Sequence, residues 1–228
     1  MEKFRKYEIE CPQCSERQET ELCQSIDAAR DPDLRDDLLQ NRFNICECPQ
    51  CQYRFRIDAP VFYRDPDRGE SIICIPNEGP ARSEQESGPE TIVRELQQSS
   101  PEMGPSESLQ LVCSHSELVE RIFLLDARMD ARIIEYIKYL MHTRNPEQLD
   151  PARKRLLFNA EQSGPEKLLF IVQDIDTKKL EGVLEYNREA YDAFVELFDQ
   201  DELTPDLLEL FPGPYIDARD CLLRESGV

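Results

Sequence analysis

The chain has 228 residues, 39% hydrophobic and 32% charged, with 16 Pro, 8 Gly, no Trp and a net charge of -20. That length suits one large domain or two small ones, and the apolar share excludes disorder throughout. A field this negative disfavours general nucleic-acid binding and docking on anionic lipid, and otherwise favours solubility and basic partners.

The start, Met1-Glu2-Lys3-Phe4-Arg5-Lys6-Tyr7-Glu8, is charged and lacks an apolar signal core. No run of roughly 18 apolar residues predicts a membrane-spanning helix. The expectation is therefore a cytoplasmic protein whose nine cysteines are reduced. Their odd number fits a disulfide framework poorly.

Composition divides the chain into residues 1–78, 79–108 and 109–228, with net charges of -6, -4 and -10. Acidity is thus spread along the chain rather than gathered in a tail.

Tyr7-Glu8-Ile9-Glu10 reads as a strand running into Cys11. A helix follows around Asp31 to Leu39. Asp31 suits its N-cap, Pro32 its first position, and the acids its positive dipole end. Phe43 to Cys46, Tyr53 to Ile57 and Ser71 to Ile75 read as strands, and the second of these alternates as half-buried strands do.

Residues 79–108 read as a flexible linker, because 13 of those 30 residues are Gly, Pro or Ser. Such a stretch cannot bury enough apolar surface to offset ordering entropy. Ile92-Val93 with Leu96 is its one candidate for a short helical turn.

The segment 109–228 is expected to open with one long helix. Ser114 and Glu117 have capping-box spacing. Leu118, Ile122, Leu125, Met129, Ile133, Ile137 and Leu140 recur at steps of three and four, until Asn145-Pro146 stops the helix. Leu156–Phe158, Leu168–Val172 and Gly182–Tyr186 read as strands. A helix from Asn187 carries Tyr191, Phe194, Val195 and Phe198 on one face, and two short helices begin near Thr204 and Ile216.

The sharpest chemical signal is Cys11-Pro12-Gln13-Cys14 with Cys48-Pro49-Gln50-Cys51, the two pairs separated by 33 residues. Two residues between thiols let both sulfurs face one ion from a single turn. Two such turns supply the four thiolates that Zn²⁺ prefers, at about 2.3 Å each. Pro restrains each turn, and backbone N–H groups around it can hold the sulfurs as thiolates. One structural Zn²⁺ on Cys11, Cys14, Cys48 and Cys51 is the leading reading. A thioredoxin-like redox pair lacks its βαβ context, and iron or an iron–sulfur cluster competes for the same soft ligands.

Cys46 offers another thiol two residues before Cys48. Cys48 is preferred because it reproduces the spacing and Pro-Gln interior of the first pair. Cys23, Cys74, Cys113 and Cys221 read as small buried thiols.

With these residues the first 78 positions resemble the CpXC domain family. The likeness covers both CPxC motifs, Asp31-Pro32, Phe43, and Phe55-Arg56-Ile57-Asp58. It extends to Pro60-Val61-Phe62-Tyr63-Arg64-Asp65 and, more loosely, to Glu117-Leu118, Glu120-Arg121-Ile122 and Asp130-Ala131-Arg132. It implies zinc binding and an α+β fold: a zinc-ribbon-like antiparallel sheet with an inserted helix, then a linker and a C-terminal α+β domain. It adds little on biological role. Family members commonly place Gly after each second cysteine, in a left-handed conformation. Here those positions hold Ser15 and Gln52, for which that conformation costs roughly 1 kcal/mol.

A four-thiolate site is coordinatively closed and offers no position for water or substrate. Zincin, nucleophile-elbow, P-loop and dinucleotide-binding motifs are all missing from the sequence. His115 and His142 read as surface residues, the latter favoured by a helix C-terminus. Asp174 and Asp176 fit a turn between strands. No catalytic residue is assigned, and the expectation is a non-enzymatic zinc protein acting through a protein partner or a regulatory ligand, without a membrane. The alternatives are a redox-responsive zinc switch involving Cys46, and a nucleic-acid-binding ribbon. The latter would use Arg54, Arg56, Arg64 and Arg68, interleaved with Tyr53, Phe55, Phe62 and Tyr63.

Overall fold

The computed structural model describes residues 3–76, 108–199 and 204–227. It divides into two compact units, Met1–Val119 and Glu120–Val228. Most of the expected linker lies outside the described residues, as does the turn expected at Ile92-Val93 and Leu96.

The first unit begins with a hairpin of β1 (Phe4–Glu10) and β2 (Arg17–Cys23). A second, smaller antiparallel hairpin joins β4 (Ile45–Glu47) to β5 (Arg54–Arg56). Tyr7, Ile9, Leu22, Cys46, Ile57 and Ala59 form a small buried core beneath them, with Phe55 against it. Between the hairpins lie β3 (Ser25–Asp27) and α1 (Pro32–Leu39). Pro32 starts α1 as expected, since its missing N–H is not needed in the first turn. Asp31 makes no side-chain cap. Its carboxylate takes the Lys3 ammonium at 2.5 Å and the Asp27 N–H at 3.1 Å instead.

A four-stranded sheet completes the unit in the order β3, β6 (Val61–Asp65), β7 (Glu70–Cys74), β8 (Ser108–Val112). Its middle pair is antiparallel and both outer pairs are parallel. Strands β6 and β7 are almost wholly buried, so neither alternates between buried and exposed positions. Because β8 pairs with β7, residues at the start of segment 109–228 fold with the first unit.

The single long helix expected from Leu118 to Leu140 is two helices, α2 (His115–Asp126) and α3 (Ala131–Arg144). The break has a local cause. Arg128 adopts φ 53°, its N–H bonds the Leu125 carbonyl at 3.1 Å, and the Met129 N–H bonds Leu124 at 2.9 Å. This is a Schellman stop with a non-glycine residue in the left-handed position. Asp130 then caps α3 by accepting from the N–H groups of Arg132 and Ile133 at 2.7 and 3.2 Å. At the start of α2 the Ser114 hydroxyl accepts the Glu117 N–H at 3.2 Å, and the Glu117 carboxylate reaches back to the Cys113 N–H at 2.8 Å.

In the second unit β9 (Lys154–Phe158), β10 (Lys167–Asp174) and β11 (Leu180–Asn187) form an antiparallel sheet ordered β11, β10, β9. Helices α4 (Arg188–Asp199), α5 (Thr204–Leu210) and α6 (Ala218–Glu225) follow. Ile133, Ile134 and Ile137 of α3 pack with Leu168, Phe170 and Phe211 in its core. Of the two acids expected in the turn between β10 and β11, Asp176 is there, while Asp174 is the last residue of β10. Its carboxylate takes the Thr177 N–H and hydroxyl, which with Lys154 hold it well below the usual carboxylate range.

Among the described residues no helix is long and apolar enough to cross a membrane.

Candidate metal centre

The same short structure is built twice. Strand β1 delivers Cys11 and β4 delivers Cys48; a tight turn presents the second thiol, and β2 or β5 returns antiparallel. The closing pairs are Glu10 with Arg17 and Glu47 with Arg54. In each turn the first cysteine's N–H bonds a carbonyl five residues on, Glu16 at 2.8 Å or Tyr53 at 3.0 Å. The residue after the second cysteine bonds back to the first cysteine's carbonyl at 2.9 Å in both. That residue is Ser15 or Gln52, with φ 60° or 59°. The left-handed backbone that the family resemblance implied is adopted without glycine.

The repeat is wider than the cysteines. Glu-Cys-Pro-Gln-Cys-x-x-Arg occurs at residues 10–17 and again at 47–54. Arg17 and Glu10 stand 3.8 Å apart, Arg54 and Glu47 3.9 Å. The sequence reading stopped at the inner four residues. The signal for the flanking pair was there, in identical Glu and Arg at identical offsets.

The four sulfurs of Cys11, Cys14, Cys48 and Cys51 lie within 4.8 Å of one another and can hold a metal ion. Cys11 and Cys51 are 3.6 Å apart, Cys14 and Cys48 3.5 Å. A tetrahedron with bonds of about 2.3 Å has edges of about 3.8 Å, so these spacings fit the donor set zinc prefers. Cys11 and Cys48 are buried; Cys14 and Cys51 are partly exposed.

Backbone amides point at the sulfurs. The N–H groups of Cys51 and Gln50 donate to Cys48 and bring its thiol down to about 7 against the effect of burial. Cys14 receives the Glu16 N–H, yet burial and the three neighbouring thiols push it up to about 12. Four thiols without an ion resist losing all their protons together. A divalent cation reverses that balance.

Cys46 stays outside the cluster. It is buried in the hairpin core and takes a hydrogen bond from the Gln18 amide at 2.8 Å. Cys23 and Cys74 are buried, and burial raises both thiols; Cys113 and Cys221 are partly exposed.

The histidines are not surface residues. His142 is buried, its Nδ1 2.5 Å from the Leu149 carbonyl oxygen. His115 is half-buried and brought down to about 4, chiefly by burial and then by Arg56. The helix dipole argument for His142 failed because its side chain turns into the unit rather than out along the helix end.

The candidate basic patch is divided among partners. Each guanidinium has a carboxylate close by: Glu47 for Arg54 at 3.9 Å, Asp58 for Arg56 at 2.9 Å, Asp27 for Arg64 at 3.9 Å and Asp65 for Arg68 at 2.6 Å. Tyr53 and Phe55 do share a face, with ring centroids 6.0 Å apart, but Phe62 and Tyr63 are core residues.

Paired cysteine turns at the ends of two hairpins define a class of protein in which four converging thiols could hold a metal ion. The CpXC protein family matches residues 9–138, more than half of the chain. The chain belongs to the CpXC family. The matched stretch takes in both cysteine turns, the four-stranded sheet and the paired helices as far as Lys138. No curated protein and no solved structure matches the chain.

Proposed function

We propose that the chain is a non-enzymatic zinc protein of the cytoplasm, with one structural Zn²⁺ on Cys11, Cys14, Cys48 and Cys51, that works by binding a protein partner. The observation that carries the metal assignment is the convergence of four thiols at near-tetrahedral spacing, with backbone amides turned toward the sulfurs. When bound, the ion links the two hairpins and supplements the small apolar core beneath them.

A closed four-thiolate centre leaves no position for substrate, which supports a role without catalysis. Pairing of Arg54, Arg56, Arg64 and Arg68 with carboxylates, together with the charge of -20, favours protein over nucleic acid as the partner. Elemental analysis of the purified chain tests the metal. One zinc per chain is expected, and a value well below one in zinc-replete protein overturns it. Affinity capture with the full chain, compared with a Cys48→Ser chain, tests whether partner binding depends on the centre.

A further inference from the structure

The second unit contains a cavity of about 550 Å³ between α3, α5 and α6. One wall is aromatic. Tyr136 and Tyr139 lie almost parallel, 8° apart with centroids separated by 6.5 Å, and Phe194 meets Tyr136 in a T-shaped contact with centroids 5.3 Å apart. Leu210 and Pro212 add apolar surface, and Glu209 and Glu225 supply carboxylates.

Each neighbouring polar group already has a job. The Tyr139 hydroxyl donates to Glu225 at 3.2 Å, and the Cys221 thiol donates to the same carboxylate at 3.7 Å. Burial followed by Glu225 raises both groups, Cys221 to about 11, so each keeps its proton and donates. Arg224, the one cation in the lining, is bound to Asp220. The pocket therefore joins two tyrosine rings to two carboxylates, and its one cation, Arg224, is itself ion-paired.

We infer that this cavity binds an organic cation, an alkylammonium or guanidinium group laid on Tyr136 and Tyr139 and facing Glu209 and Glu225. Ring faces attract weakly hydrated cations. An anion meets two carboxylates, and a small hard metal ion meets too few converging oxygens against an aromatic wall. The chain's net charge of -20 draws cations toward it. The group has two possible sources, a free amine or a Lys or Arg side chain of a protein partner. All of these residues belong to the second unit, so the assignment stands or falls independently of the zinc centre.

The test uses the full chain with labelled tyrosine rings observed by NMR, at constant ionic strength. The probes are n-butylammonium, n-butylguanidinium, a capped Gly-Lys-Gly peptide and butyrate. The cationic probes should move the Tyr136 and Tyr139 signals saturably, at roughly millimolar concentration, and butyrate should not. Glu209→Gln with Glu225→Gln should weaken binding about tenfold while the other tyrosine signals stay in place. Should that pair disturb folding, Glu209→Gln alone, at an exposed position, should still weaken it. A capped peptide that binds more tightly than butylammonium supports the site and assigns it to a partner's side chain. The reverse order supports the site and assigns it to a free amine. Unmoved Tyr136 and Tyr139 signals, equal effects from butyrate, or unchanged binding by the glutamine variants would each overturn it.

Discussion

Ser15 and Gln52 occupy the same backbone state at the same step of two copies of one turn, with φ 60° and 59°. Each donates its N–H at 2.9 Å to the carbonyl of the cysteine four residues before it. Neither side chain is needed for that bond, and both suffer a Cβ in the left-handed region. Glycine at either position relieves roughly 1 kcal/mol of strain and returns part of it as freedom in the unfolded chain. Ser15→Gly and Gln52→Gly should each stabilise the zinc-loaded protein by about 0.5 kcal/mol, additively, in chemical denaturation. Gln52→Val, β-branched at the same φ, should destabilise it by more than 1 kcal/mol, roughly.

Cys46 and Cys48 are two residues apart, yet one belongs to the hairpin core and the other to the thiol cluster. Cys48→Ser should lower the zinc content below one per chain and loosen both hairpins, since a bound ion would tie them together in addition to their shared core. Cys46→Ser should leave zinc at one per chain and cost about 1 kcal/mol, because the Gln18 amide remains to bond the new hydroxyl. A Cys46→Ser chain that fails to retain zinc would assign the ligand to the wrong residue.

The sequence was most readable where structure is local. The cysteine turns, the α1 start at Pro32 and the strands around Leu156, Leu168 and Val183 all follow from spacing or pattern within about ten residues. Four strands went unread, β3 because it is only three residues long and the others for different reasons. Residues 17–23 are polar, and only Leu22 and Cys23 are buried, so β2 exists through its pairing with β1. Residues 61–65 are buried on both faces, so β6 shows no alternation. Strand β8 depends on a parallel partner far earlier in the chain, Glu70 opposite Ser108, and no local pattern reports such a contact. At Arg128 a continuous apolar stripe hid the helix break, because the stop needs only one residue to adopt positive φ. Asp130, a good N-cap inside that stripe, was the available clue.

Two cations and two anions are buried together in the second unit. Lys138 stands 2.7 Å from Glu120 and 2.9 Å from Glu135, and Arg121 is 3.0 Å from Glu135. Glu120 also accepts the Phe158 N–H at 2.5 Å, and Glu135 the Ala218 N–H at 2.9 Å, so the charges tie α2 and α3 to β9 and α6. Lys138→Met leaves the two carboxylates facing each other and should cost about 3–5 kcal/mol in urea unfolding. Adding Glu120→Gln keeps an oxygen for Phe158 and removes the surplus charge, so the double variant should recover about 1–3 kcal/mol.

The same cluster sets pH limits. Burial opposes ionisation of Glu135, but Lys138 and Arg121 outweigh it and lower the carboxyl. Its contribution is full above its unfolded value of about 4.3 and is lost as pH falls through the lower folded value. Burial likewise opposes the Lys138 charge, and Glu120 followed by Glu135 outweighs it and raises the ammonium. That contribution is full below about 10.4 and is lost as pH rises through the higher folded value. Stability from these groups should stay level between about pH 5 and 10.

His142 gives that plateau a slope. A carbonyl oxygen only accepts, so the 2.5 Å contact with Leu149 places the hydrogen on Nδ1 of a neutral ring. Burial lowers the ring below the usual histidine value, although the Leu149 carbonyl raises it in part; Lys138 and Arg219 lower it further and Glu135 raises it. Below about pH 6.5 the unfolded chain therefore takes up a proton that the folded unit refuses, and stability falls as pH drops toward the folded value. With only two histidines, each ring can be followed by NMR in the intact chain. The His142 signal should begin to titrate only below pH 6.5, and the His115 signal near 4. Following His142 directly separates this effect from any acid release of metal in the first unit. A His142 ring that titrates at 6.5 or above would mean that it reaches solvent and that its bond to Leu149 does not persist.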